Sequence, residues 1–66
     1  NKMEIALDLF KMNVSLFPKV VNTYDSLAEA YLKSGDKMNA LKYYKLALEL
    51  SPNDDQLKEK ILDLEK

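Results

Sequence analysis

Apolar positions along the chain recur every three or four residues, and polar ones fill the gaps. Tyr24, Leu27, Ala28 and Tyr31 share one helical face, with Leu32 beside it. Ala40, Leu41, Tyr44, Ala47, Leu48 and Leu50 make a broader stripe, and Leu57, Ile61 and Leu64 a narrow one among charged residues. Near the start, apolar residues from Met3 to Phe17 cover most of a helix circumference. No stretch alternates cleanly with a period of two, so no strand is predicted. The breaks fall at Pro18, Gly35 and Pro52. Gly35 is placed to close a helix in the left-handed conformation, and Asp36 to open the next. Four helices are therefore predicted near 2–17, 20–34, 37–51 and 54–66. Their short connections favour antiparallel neighbours. The expected class is all-α.

The pattern repeats. Displaced by 34 residues, Ala6 falls on Ala40, Leu7 on Leu41, Lys11 on Lys45, Leu16 on Leu50 and Pro18 on Pro52. Phe10 falls on Tyr44, Val14 on Leu48 and Leu27 on Ile61. A helix–turn–helix period of this length resembles the tetratricopeptide repeat, whose W-x2-L-G-x2-Y, A-x3-F and P signature can be laid on the chain. It reads Tyr24-x2-Leu27-Ala28-x2-Tyr31, then Ala40-x3-Tyr44, with Ala47 one turn on and Pro52 closing. The replacements (Tyr for Trp, Ala for Gly, Tyr for Phe) keep size class and aromatic character.

The resemblance implies an antiparallel helix-hairpin fold, a fragment of a right-handed superhelix of about four helices. It divides a single domain, 1–66, into three parts. Residues 2–17 would be the second helix of a preceding repeat, 21–54 one full repeat, and 54–66 a capping helix. The last departs from the signature, with Lys58, Leu62 and Glu65 at the aromatic, small and tyrosine positions. The physics agrees with the pattern. Ala28, Ala40 and Ala47 let helices approach closely, and large residues fill the flanks.

Composition narrows the function. The chain has 66 residues, ten basic and eleven acidic, no cysteine and no histidine. A domain this small has a marginal core. Without Cys or His it lacks disulfides, the commonest metal ligand and the commonest general base. This fits a reducing compartment such as the cytoplasm without proving one. Lysines and carboxylates alternate, so no basic face for nucleic acid is visible. No apolar run approaches the ~20 residues of a membrane span. The first residues do not read as a signal peptide. Asn1 opens in mid-pattern, from which we expect a segment of a longer protein.

The resemblance implies a concave, peptide-facing surface on the first helices of successive repeats. Here it would hold Asn22, Asp25, Ser26, Glu29, Leu32 and Lys33, with Gln56, Glu59, Lys60 and Asp63 on the last helix. The family's carboxylate clamp has Lys and Asn where this chain has Asp25 and Glu29, so an acidic tail is not expected there. The cluster Asp25, Glu29, Glu59 and Asp63 would instead favour a basic segment. The plain alternative is a solvated polar face.

The first helix carries a second candidate surface, Ile5, Leu9, Met12 and Leu16. A surface helix is usually apolar on one stripe only. This one should be covered on two sides, the second by a missing helix, a parent domain or another copy of the chain. Self-association, or packing on a parent chain, is expected.

Catalysis is not expected. Asp54 and Asp55 are adjacent carboxylates, but acids at a helix start suit its dipole, and Asn53 and Gln56 have capping-box spacing. Tyr24, Tyr31 and Tyr44 sit at core positions, and no cofactor or metal motif occurs. The sequon at Asn13–Ser15 lies inside a helix and reads as coincidence. Lys42 and Lys45 read as the solvated outer face. The leading reading is a non-catalytic helical-repeat scaffold for protein–protein interaction or self-association. The alternative is a C-terminal structural appendage of a larger enzyme, such as a bacterial serine hydrolase of the beta-lactamase-like type. A nucleophile motif upstream of Asn1 would mark the appendage, and further repeats a free scaffold.

Overall fold

A computed structural model describes residues 2–66; the chain start at Asn1 lies outside the described residues. Four helices follow one another: α1 (Lys2–Leu16), α2 (Val21–Lys33), α3 (Lys37–Leu50) and α4 (Asp55–Glu65). No strand occurs among the described residues. Each helix packs only on its sequence neighbours, α1 on α2, α2 on α3 and α3 on α4. That is the layout of a stacked repeat array.

The turns form as their residues dictate. After α2, Gly35 takes φ +88°, a left-handed conformation that a Cβ disfavours. The Asp36 N–H donates to the Tyr31 carbonyl at 2.9 Å and the Gly35 N–H to Leu32 at 3.1 Å. This crossed pair satisfies the helix-end carbonyls. Asp36 then caps α3, accepting from the Asn39 N–H at 3.1 Å and the Asn39 side chain at 2.6 Å. Those bonds, the side-chain one first, hold its carboxyl below its ordinary value. The turn after α1 is tied from α2: the Thr23 hydroxyl donates to Val20 at 2.7 Å and the Tyr24 hydroxyl to Pro18 at 2.8 Å.

The helix ends fall within a residue of expectation, and one cap differs. Asp54, not Asn53, caps α4, its Oδ1 accepting from Gln56 N–H at 3.0 Å and Leu57 N–H at 3.2 Å. Pro52 and Asn53 are spent in the turn that the Asp54 N–H closes on Ser51, so capping begins one residue later.

The core forms around the small residues. Ala28, Ala40 and Ala47 are fully buried with Leu27, and Tyr31, Tyr44, Leu57 and Ile61 close round them. Leu41, Leu48 and Leu64 pack at the edge, whereas Leu50 is exposed. Tyr24 is half-buried rather than central. Tyr43, which the signature does not single out, stacks on Tyr31 with centroids 5.6 Å apart and on Tyr24 at 6.4 Å.

The 34-residue correspondence holds in three dimensions. Lys11 of α1 lies over the Tyr31 ring of α2, 5.7 Å from its centroid. Thirty-four residues on, Lys45 of α3 lies 3.4 Å from Glu65 of α4. Leu7, Phe10 and Val14 meet the core from α1, and Leu41, Tyr44 and Leu48 are their counterparts on α3. Hence α1 packs on α2 as α3 packs on α4.

Candidate functional site

The residues expected on the concave surface lie mainly along α2 and α4. Asn22, Glu29, Leu32, Lys33, Gln56, Glu59 and Asp63 are exposed, and Asp25, Ser26 and Lys60 half-buried. Glu29 separates two shallow depressions of about 280 Å³ each. Between α1 and α2, Ser26, Glu29 and Lys33 meet Met3, Ala6 and Phe10 over the buried Ala30. On the other side, Glu29, Leu32 and Asp63 meet Tyr44, Lys60 and Leu64. Neither depression is lined by Asn22 or Glu59.

Lysines stand beside the carboxylates expected to draw a basic segment. Lys60 Nζ lies 3.1 Å from Asp25 Oδ1, Lys33 lies 3.6 Å from Glu29, and Lys66 lies 3.6 Å from Asp63. Burial pulls the Lys60 ammonium down, but the hydrogen bond and charge of Asp25 hold it above its ordinary value. It also stands 5.4 Å from the Tyr44 ring, whose hydroxyl burial pushes up. Three of the four carboxylates of the expected cluster therefore have a lysine beside them, and Glu59 does not. Register places Lys60 on this face, but no helical spacing points to its partner 35 residues away.

The lysines of α3 are exposed but engaged. Lys42 lies over the Tyr43 ring at 5.5 Å, and Lys45 reaches Glu65.

The α1 surface is more distinctive. No residue of α1 is buried. Ile5, Leu9, Met12 and Leu16 are 62%, 56%, 57% and 63% exposed. They form one continuous stripe, since their spacing of three and four residues keeps them on one face. Phe17 extends it into the turn, exposed as well.

Among the described residues no cluster of acidic side chains has metal-binding geometry. No described helix is long and apolar enough to cross a membrane. The family model for the tetratricopeptide repeat matches residues 21–54. No curated protein matches the chain.

Proposed function

The chain belongs to the tetratricopeptide repeat family, and we propose that it is a non-catalytic protein-interaction scaffold whose main docking surface is the exposed stripe of α1. The observation that carries this is the exposure of Ile5, Leu9, Met12 and Leu16 on a helix whose other face is packed on α2. On this reading α1 is the second helix of a preceding repeat, and the stripe is the side its own first helix would cover. The face along α2 and α4 is secondary. A basic peptide would have to draw Asp25, Glu29 and Asp63 away from their lysines.

The appendage alternative assigns the same stripe a different cover, the catalytic domain of a larger enzyme of the serine hydrolase type. In either case α1 meets protein, not solvent, membrane or nucleic acid.

A photo-crosslinking side chain at position 9 tests this. It is expected to capture a polypeptide, while the same group at the exposed Lys37 captures none. The captured chain identifies the cover. No polypeptide adduct from position 9 would sink the reading.

A further inference from the structure

Tyr44 stands where the tetratricopeptide signature has phenylalanine. Its ring packs as phenylalanine would: the residue is 3% exposed, in one cluster with Ala40, Ala47 and Leu57. The hydroxyl is the addition. None of the side-chain hydrogen bonds among the described residues uses it. A hydroxyl on so buried a residue is costly to leave without a partner, and such a group calls for an explanation. Among the described residues, no side-chain oxygen sealed from solvent lacks a partner, so this one opens to solvent. The opening is the depression of about 280 Å³ between α2 and α4, which Tyr44 lines with Glu29, Leu32, Lys60, Asp63 and Leu64. The charges of Lys60, Asp25 and Glu29 all act on the hydroxyl there.

We infer that this depression receives the side chain of an arginine from a partner segment. The guanidinium lies between the Glu29 and Asp63 carboxylates and donates to Tyr44 Oη, and its methylene stem lies along Leu32 and Leu64. The α1 stripe takes no part, so this inference and the docking surface on α1 stand or fall separately.

Charge selects a cation. Two of the three charged groups in the lining are carboxylates, and the third, Lys60, already binds Asp25 at 3.1 Å. An anionic ligand would have to displace Asp25 and face both carboxylates. The lysines beside those carboxylates are held loosely. Lys33 lies 3.6 Å from Glu29 and Lys66 3.6 Å from Asp63, with all four groups exposed. Exposed pairs of this kind contribute little, so an entering cation displaces them at small cost, and the Lys60–Asp25 pair stays intact.

Shape selects arginine. Lys60 already covers the Tyr44 ring, 5.4 Å from its centroid, so the floor offers its hydroxyl oxygen as an acceptor. Acceptors from three helices therefore meet at the depression: Glu29 of α2, Tyr44 of α3 and Asp63 of α4. A guanidinium spreads its N–H donors over a rigid plane and is more weakly hydrated than an ammonium, so one group can address all three. Its stem is apolar and matches the leucine walls.

A terminally blocked peptide with one arginine among alanines tests this, titrated into the 66-residue chain and followed by NMR shifts. The chain contains no arginine, so it cannot fill the site itself. Millimolar binding is expected for a single side chain in a shallow site, with shifts at the methyl groups of Leu32 and Leu64. Tyr44→Phe is expected to weaken binding about threefold to tenfold, while the thermal midpoint of the unliganded chain holds or rises. Glu29→Gln and Asp63→Asn should each weaken it about twofold to fivefold. Glu59→Gln, on the same face but outside the depression, should change nothing. A peptide with citrulline in place of arginine should not bind. No shifts from the arginine peptide overturn the inference. So does an equal effect of Glu59→Gln and Glu29→Gln, which would mean diffuse attraction to an acidic face. A Tyr44→Phe chain with a lower midpoint and unchanged affinity overturns it as well, and equal binding of a lysine peptide overturns the assignment to arginine.

Discussion

Lys60 of α4 places its Nζ 3.1 Å from Oδ1 of Asp25 on α2, joining two helices that do not otherwise pack on each other. The same ammonium lies over the Tyr44 ring. Both charged groups remain partly solvated, so the pair is worth well under a buried one, about 0.5–1 kcal/mol. Lys60→Met is expected to lower the urea midpoint modestly and to reduce its dependence on salt, the other ion pairs remaining. A double-mutant cycle with Asp25→Asn reads the coupling directly.

Gly35 closes α2 at φ +88° with open space where a Cβ would stand. Gly35→Ala therefore meets no clash, and its cost is purely conformational, about 1 kcal/mol. Thermal unfolding should shift down by roughly 4–8 °C. A shift beyond that range would mean the turn does more than end a helix.

Leu27 is fully buried among Ala28, Ala40 and Ala47. Leu27→Ala is expected to cost about 3 kcal/mol. A chain of this length holds roughly 3–10 kcal/mol of stability in total. Far-ultraviolet circular dichroism should show that variant partly or wholly unfolded at ambient temperature, while Met38→Ala, at an exposed position, should be nearly silent.

Asp36 supplies a pH signature. Its folded carboxyl titrates below the ordinary value because Asn39 donates to it twice, from its side chain and its backbone. A depressed carboxylate stabilises the fold above its unfolded value, near pH 4, and that contribution fades as pH falls through the folded value. Asp36→Asn keeps an acceptor at the helix start but cannot titrate. The wild-type advantage over this variant should be present at neutral pH and vanish in strong acid. Chemical denaturation at both pH values measures it.

Tyr43→Leu gives α3 the residue that α1 has at the matching position. It removes two stacked contacts and should cost about 1–3 kcal/mol. Unfolding followed by tyrosine fluorescence and by circular dichroism should agree on the value.

Much of this architecture was legible because small residues and breaks speak locally. Ala28, Ala40, Ala47, Gly35 and Pro52 each have one physical use at their spacing, and each serves it here. Tyr43 was not legible because α3 has two packed faces. The apolar stripe that runs through Tyr44 describes one of them, and a tyrosine one position earlier looks like its solvated edge. The Lys60–Asp25 pair escaped because no helical spacing relates residues on two elements that are not neighbours. Asn53 and Asp54 are both good caps, and the turn around Pro52 decided between them. On α1, apolar excess called for cover on a second side; the residues expected there, Ile5, Leu9, Met12 and Leu16, are exposed because Leu7, Phe10 and Val14 take the side against α2.

The six residues from Ser15 to Val20 are all exposed, and the fully buried cluster begins only at Leu27. A protease that recognises Phe17 or Lys19 would therefore find an open site, and its cut would spare every buried side chain of that cluster. The fragment left behind would carry the three later helices with their alanine contacts and stacked tyrosines, and would lose both the stripe of Ile5, Leu9, Met12 and Leu16 and the cover that Leu7, Phe10 and Val14 give the core. The helix that carries the exposed apolar stripe is thus joined to the rest by an open stretch, and one scission near Lys19 would free it only by baring the face of α2 that it covers.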